Sequence, residues 1–203
     1  MPEEIEAKVR LASPEAFRRH MAERRALPRR SRASPRRSRA EGGRTVVEVN
    51  RLFDDAAGTL RRRGAALRLR EERPTDGAAV RRTTLAYKGP RREGPLKRRL
   101  EIETTVGSAE AILAILQAVG LAETFRYEKR RTTWHVGECE VALDELPHLG
   151  WFVEVEGPTE EAVLARLAEV GLGGEPLIRQ TYIELLTEHL VSSGRDSTRA
   201  VFD

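Results

Sequence analysis

Glu4-Ile5-Glu6-Ala7-Lys8-Val9-Arg10-Leu11 alternates charged and apolar residues without a break. In a β-strand successive side chains leave on opposite faces, so Glu4, Glu6, Lys8 and Arg10 share one face while Ile5, Ala7, Val9 and Leu11 share the other. A solvated outer face is the ordinary explanation of such a strand. The pattern returns, however, at Ala66-Leu67-Arg68-Leu69-Arg70 with two arginines, at Arg99-Leu100-Glu101-Ile102-Glu103 with mixed signs, and at Val153-Glu154-Val155-Glu156 with two carboxylates. Carboxylate pairs are kept apart from arginine pairs, which predicts a polar surface facing something charged.

The chain has 203 residues, enough for one domain with an ample core. Charged residues make up 33% and aromatic residues 5%, so the core is expected to be aliphatic. No apolar run approaches the roughly 20 residues of a membrane span, and the N-terminus has no apolar signal stretch; a soluble, cytoplasmic protein without a membrane partner is expected. Cys139 is the single cysteine, which excludes an internal disulfide and a cysteine-based zinc site. His20, His135, His148 and His189 lack ligand spacing, which argues against a histidine metal centre.

The net charge of +4 is local in origin. Six arginines against one acid between Pro28 and Gly43 give that segment +5, so the remainder is close to neutral at −1. Within it Pro-Arg-Arg-Ser-Arg-Ala occurs twice, separated by Ser34. Such composition has nothing to bury and predicts a mobile insertion at 28–43. Its arginines could touch RNA or an acidic partner, but no stacking aromatic lies among them, which counts against dedicated nucleic-acid recognition.

In chain order, Ser13, Pro14 and Glu15 open a helix to about Leu27. A strand is predicted over 45–54, a helical turn over 59–63, and a hairpin of strands 66–71 and 79–88 around the turn Pro74-Thr75-Asp76-Gly77. A strand over 97–106 precedes a Ser108-capped helix that stops at Gly120. Strands over 125–136 and 139–143 form a hairpin, 144–150 connects, and 151–157 is the carboxylate strand. A Thr159-capped helix and a last helix over 176–190 follow. Residues 1–190 form the domain, and 191–203 are expected as a flexible tail.

About eight antiparallel strands and four helices suffice to close an α+β barrel. If the aliphatic faces pack outward against helices, the charged faces line an interior tunnel. Buried charge at this density is prohibitive unless paired, hydrated or bound to ions. Carboxylate pairs ask for hydrated cations and arginine pairs ask for a polyanion, and metal with polyphosphate satisfies both.

Glu4-Ile5-Glu6-Ala7-Lys8 resembles the N-terminal ExExK signature of the CYTH domain, or triphosphate tunnel metalloenzyme, superfamily. The resemblance continues through Asn50–Asp54, Leu60–Arg70, Tyr87–Pro90, Lys97–Glu103, Lys129–Arg131, Leu143-Asp144, Leu149–Glu156 and Tyr182–Leu186. It is nearest the branch with the class IV adenylate cyclases and their triphosphatase relatives. It implies an eight-stranded antiparallel tunnel that holds Mg²⁺ or Mn²⁺ and acts on a small-molecule triphosphate. By position, Glu4, Glu6, Glu154 and Glu156, with Glu101 and Asp144, match the metal-binding acids. Lys8, Arg68, Arg70, Lys88, Arg99, Lys129 and Arg131 match the phosphate-gripping lining, and Glu4, Glu6, Lys8 and Lys88 stand as the catalytic candidates. Carboxylate oxygens suit these hard cations, and arginine's planar fork suits phosphate oxygens.

The resemblance implies metal-dependent hydrolysis of inorganic triphosphate, thiamine triphosphate or a nucleoside triphosphate. The alternative is conversion of ATP to cyclic AMP and pyrophosphate. Hydrolysis needs only the tunnel, whereas cyclisation also needs a placed nucleoside. Only three residues precede Glu4, short of the basic-aromatic leader of some cyclases, which weighs against the cyclase. A non-catalytic polyphosphate-binding module is disfavoured because all four glutamates are present. Barrels of this kind can form homodimers through exposed helices, although no interface is specified here.

Overall fold

The computed structural model describes residues 3–25, 40–75, 79–80 and 82–203. Its strands are β1 (Glu3–Leu11), β2 (Ala40–Asp54), β3 (Ala66–Pro74), β4 (Arg82–Lys88), β5 (Lys97–Thr105), β6 (Ala122–Val136), β7 (Cys139–Leu146), β8 (Gly150–Glu156) and β9 (Arg199–Ala200). Its helices are α1 (Glu15–Arg25), α2 (Thr59–Arg62), α3 (Ala109–Ala118), α4 (Glu160–Glu169) and α5 (Tyr182–Ser192). The sheet runs β2-β3-β4-β5-β1-β8-β7-β6, and a further pairing of β2 with β6 closes it into the expected eight-stranded antiparallel barrel. Among the described residues no helix is long and apolar enough to cross a membrane.

The aliphatic faces do pack outward. Ile5, Ala7 and Val9 of β1 join Val141, Val153 and Val155 in one apolar cluster, covered by Phe17 and Met21 of α1 and by Val163 and Leu167 of α4. A second cluster is different: Leu186 and Leu190 of α5 meet Leu52, Phe125, Leu146 and Phe152, which share their strand faces with Glu48, Lys129, Asp144 and Glu154, so α5 packs on the inward side of the sheet. A third seats Leu116 of α3 on Phe53 and Leu69. Each fully buried side chain of this size is worth about 1.5–3 kcal/mol relative to exposure, so the helices fix which strand face looks inward.

Helix entries follow local chemistry. Ser108 Oγ accepts the Ala111 N–H at 3.1 Å, and Thr159 Oγ1 accepts the Ala162 N–H at 3.1 Å. The last helix begins at Tyr182 rather than Pro176. Thr181 and Glu184 form a reciprocal capping box, which sets the start six residues later than the proline suggests. Asp54 holds α2 in place by accepting the N–H groups of Leu60 and Arg61, each at 2.9 Å.

Other boundaries also differ from the sequence reading. β2 begins at Ala40, so residues 40–43 of the predicted arginine-rich insertion are strand; the rest of that insertion lies outside the described residues. The turn residues Asp76 and Gly77 also lie outside them. β7 runs on to Leu146, which places Asp144 inside a strand instead of a connection. Residues 191–203 are not a free tail: Ala200 is fully buried, β9 pairs in parallel with β6, and the Phe202 N–H donates to the Glu128 carboxylate at 3.1 Å. Arg130 lies 4.0 Å from the Phe202 ring centroid and completes this anchor.

The seam between β2 and β6 bulges near its start at two glycines of positive φ, Gly42 and Gly43. Register shifts between Gly42 and Arg44, where Gly42 has φ of 101° and a Cβ would lie 2.7 Å from the Thr133 carbonyl oxygen. Gly42→Ala therefore meets both a disfavoured backbone conformation and a clash with backbone. It is expected to lower unfolding free energy by about 1–3 kcal/mol, measured by urea titration; wild-type stability would show that the bulge tolerates a side chain.

Candidate functional site

The barrel encloses a cavity of about 470 Å³. Alternation along the strands delivers its lining: Glu4, Glu6 and Lys8 from β1, Arg68 and Arg70 from β3, Lys88 from β4, Arg99 and Glu101 from β5, Lys129 and Arg131 from β6, and Glu154 and Glu156 from β8. Twelve of the thirteen residues singled out from the sequence thus share one cavity. Asp144 is the exception, being fully buried and absent from the cavity wall.

Register sets opposite charges against each other. Glu4 stands opposite Arg99 and Glu6 opposite Lys97 on the β1–β5 ladder, Lys8 opposite Glu154 on β1–β8, and Lys88 opposite Glu101 on β4–β5. Glu48 stands opposite Lys129, and Arg131 opposite Asp144. The side chains use this placement. Glu4 receives Lys88 at 2.9 Å and Arg99 at 2.7 Å, Glu6 receives Lys97 at 2.6 Å, and Glu101 receives Lys88 at 2.8 Å. Arg131 forks onto Asp144 at 2.7 and 2.5 Å and also reaches Glu154.

The electrostatic consequences follow. Burial alone would raise the Glu4 carboxyl, but Lys88 and Arg99 hold it far below the usual range. Glu154 is likewise held low by Lys8 and Arg131 against the effect of burial, and Glu48 by Lys129, Arg70 and Arg131. Burial pushes the Lys8 ammonium down, only partly opposed by Glu154 and Glu6. Lys88 is lowered by burial and by the neighbouring Arg68.

Glu156 is different. It stands opposite Glu6 on β1 and opposite Glu140 on β7, which makes a rung of three carboxylates across adjacent strands. Among the described residues it forms no ion pair. It touches cavity solvent, yet the enclosing protein limits its hydration and Glu4 repels its charge, so its pKa is pushed up to about 7. A like-charge rung destabilises an antiparallel ladder, and a bound cation would relieve it. Glu4, Glu6 and Glu156 supply the oxygen donors that Mg²⁺ or Mn²⁺ prefers. Among the described residues, however, no three acidic, histidine or cysteine side chains already converge in ligand geometry. Metal entry would require Glu4 and Glu6 to exchange their lysine and arginine partners for the ion.

Asp144 has no such freedom. Besides Arg131 it accepts the Tyr182 hydroxyl at 2.8 Å and lies 3.4 Å from Lys129 Nζ. It acts on the cavity through the cations it orients. Four participants were not singled out from the sequence. Lys97 and Glu140 each extend an alternating run already visible around them. Glu48 is a lone charge among valines in Val46-Val47-Glu48-Val49, a signal that it faces inward. Tyr182 belongs to the Tyr182–Leu186 stretch that carries the resemblance, but its place at the head of an apolar helix marks it only for core packing.

The described geometry agrees with three comparisons. The CYTH domain family model matches residues 3–182. A Methanocaldococcus jannaschii relative named "putative adenylate cyclase" is 29% identical over 129 residues, covering 59% of this chain and 70% of the relative. The X-ray structure of a "putative adenylate cyclase" from Vibrio parahaemolyticus superposes with a TM-score of 0.73 at 22% identity, over 91% of this chain and 97% of that one. A Hippeastrum protein, described as a "putative adenylyl cyclase" that reveals a dominant triphosphatase activity, superposes with a TM-score of 0.62 at 18% identity, over 95% and 97% of the two chains. With the family match spanning nearly the whole chain and the barrel closing as that family's signature implies, this chain belongs to the CYTH domain family.

Proposed function

We propose that this protein hydrolyses a small-molecule triphosphate in a reaction that depends on Mg²⁺ or Mn²⁺ and takes place inside the barrel. The observation that carries the reading is the cavity's double lining: lysines and arginines held by carboxylates, beside Glu156, a carboxylate set between Glu6 and Glu140 that forms no ion pair among the described residues. A lone anion would satisfy the first half and a lone metal ion the second. A metal–polyphosphate complex satisfies both and preserves the charge balance of the interior.

Charge builds on phosphoryl oxygens as the phosphorus–oxygen bond breaks, so fixed cations do most of the stabilising. Arg68, Arg70, Lys88 and Arg99 present donors to those oxygens when the substrate displaces their carboxylate partners, and Arg131 does so when it displaces Glu154. Glu48 and Asp144, buried behind Lys129 and Arg131, keep those two cations in place during the exchange. Glu4, Glu6 and Glu156 would hold the divalent ion, with Glu154 adjoining through Lys8. When bound, that ion supplies further positive charge to the phosphoryl oxygens and lowers the pKa of water. A tunnel glutamate accepts the proton of the attacking water.

A second reading, cyclisation of ATP with release of pyrophosphate, is favoured by the adenylate cyclase name of the Methanocaldococcus relative. It uses the same cations but requires the ribose hydroxyl as nucleophile. Product analysis separates the two. Offered inorganic triphosphate, thiamine triphosphate and ATP with Mg²⁺ or Mn²⁺, the protein is expected to release orthophosphate without cyclic AMP, and EDTA is expected to stop the reaction until metal is restored. Cyclic AMP with stoichiometric pyrophosphate would select the second reading.

Glu156→Gln and Glu6→Gln are expected to lower metal-dependent turnover by on the order of 100-fold. Glu156→Gln also removes like-charge repulsion, so its melting temperature should equal or exceed that of the wild type. Full activity in either variant would contradict the assignment of the metal to these acids.

A further inference from the structure

Tyr182 opens α5 beneath the cavity, and the chemistry above gives it no part. As a core residue it packs edge-on against Phe152, with centroids 5.4 Å apart and rings inclined by 71°. Phenylalanine would pack equally well. Three other contacts exceed what packing requires. The Lys8 ammonium lies 3.9 Å from the Tyr182 ring centroid, the Lys129 ammonium lies 5.3 Å from it, and the hydroxyl donates to Asp144 Oδ2 at 2.8 Å.

An aromatic face attracts a cation through its quadrupole, most strongly where both are withdrawn from water. Lys8 and Lys129 are only 2% and 3% exposed, and Tyr182 6%. The segment leading into α5 grips Lys8 as well: the Ile178 N–H donates to the Lys8 carbonyl at 2.8 Å, and the Lys8 ammonium donates to the Gln180 carbonyl oxygen at 3.0 Å. The Thr181–Glu184 capping box fixes where the helix begins and therefore where the ring stands.

We propose that Tyr182 is the positioning residue of the anion-binding wall, its ring face fixing the ammonium groups of Lys8 and Lys129 and its hydroxyl fixing Asp144, which in turn orients Arg131. The proposal rests on the reading of the cavity as a triphosphate site. Its physical effect is preorganisation. A lysine stem is long and flexible, and holding its end before the anion arrives removes an ordering cost that binding would otherwise bear.

The ring and the hydroxyl are separable by substitution. Tyr182→Phe keeps the face and loses the hydroxyl, whereas Tyr182→Leu loses both; Tyr182→Met, longer and adaptable, replaces the leucine variant if that one fails to fold. The probe is inorganic triphosphate, followed by calorimetry in EDTA, where no turnover occurs, and by KM in Mg²⁺. Tyr182→Phe is expected to be about 3-fold weaker than the wild type in both measurements, the share of the hydroxyl, and Tyr182→Leu weaker by about 10-fold or more, the ring's share added. Thermal melting runs alongside, with binding measured well below each midpoint. Equal loss in the phenylalanine and aliphatic variants would remove the ring from the mechanism. Wild-type affinity in all of them would reduce Tyr182 to core packing and leave the triphosphate reading intact. Failure of the wild type itself to bind triphosphate or turn it over would overturn both.

Discussion

Everything in this molecule is constrained by the charge density inside a closed barrel. Moving an ionised side chain from water into a low-dielectric interior costs several kcal/mol even after relaxation, and the cost is recovered only through well-placed partners. Glu48, Lys129, Asp144 and Lys8 are all withdrawn from solvent, and each meets at least two oppositely charged groups or charge-bearing contacts. Removing one member of such a set leaves a buried charge without compensation, a loss of roughly 3–5 kcal/mol by precedent. The interior is therefore a lattice in which each paired member compensates its neighbours, Glu156 excepted, and its stability draws on the contacts that line the cavity.

Antiparallel register is the device that builds this lattice. Residues directly opposite on neighbouring strands have Cβ atoms about 4.5–5.5 Å apart, so a ladder that sets Glu4 against Arg99 or Lys88 against Glu101 pairs charges before any rotamer is chosen. A one-residue slip would turn the whole charged row outward and the aliphatic row inward. The helices prevent it, because Ile5, Val9 and Val155 are already committed to the clusters beneath α1 and α4. The hydrophobic exterior of the barrel thus positions its polar interior. The Glu6–Glu156–Glu140 rung is the one place among the described ladders where three carboxylates run together across adjacent strands, and a sequence selected for barrel stability alone would gain by removing it.

This logic explains what the sequence disclosed and what it withheld. Strict alternation in β1, β3, β5 and β8 shows at once which residues turn inward, since the side-chain period is fixed by the backbone. Alternation also reaches Lys97, two residues before Arg99, once the strand is started early enough. Asp144 is harder, because in Ala142-Leu143-Asp144-Glu145-Leu146 consecutive acids read as a solvated connection, and only the neighbouring strands show that one of them is enclosed. The docked C-terminus is harder still: Arg199-Ala200 carries no strand signature, and its order comes from an open stretch of β6 and from Phe202 beside Arg130. Tyr182 is invisible for the opposite reason, since an aromatic at the head of an apolar helix already has a sufficient explanation in packing.

The pairing inside the barrel also bears on how a ligand would enter. A cavity lined by unpaired arginines would bind triphosphate strongly but would be costly to fold, and one lined by apolar residues would fold well and bind nothing charged. Partner exchange avoids both outcomes. Lys88 held between Glu4 and Glu101, and Arg99 held on Glu4, have most of their water removed when the barrel forms. On the proposed function, an incoming polyanion would meet cations whose desolvation has been met by folding, and a divalent ion would meet the carboxylates thereby released. Preorganised charge of this kind needs little rearrangement as a transition state develops. The same ion pairs that make the interior tolerable to fold are then the contacts that the proposed metal–polyphosphate complex would replace.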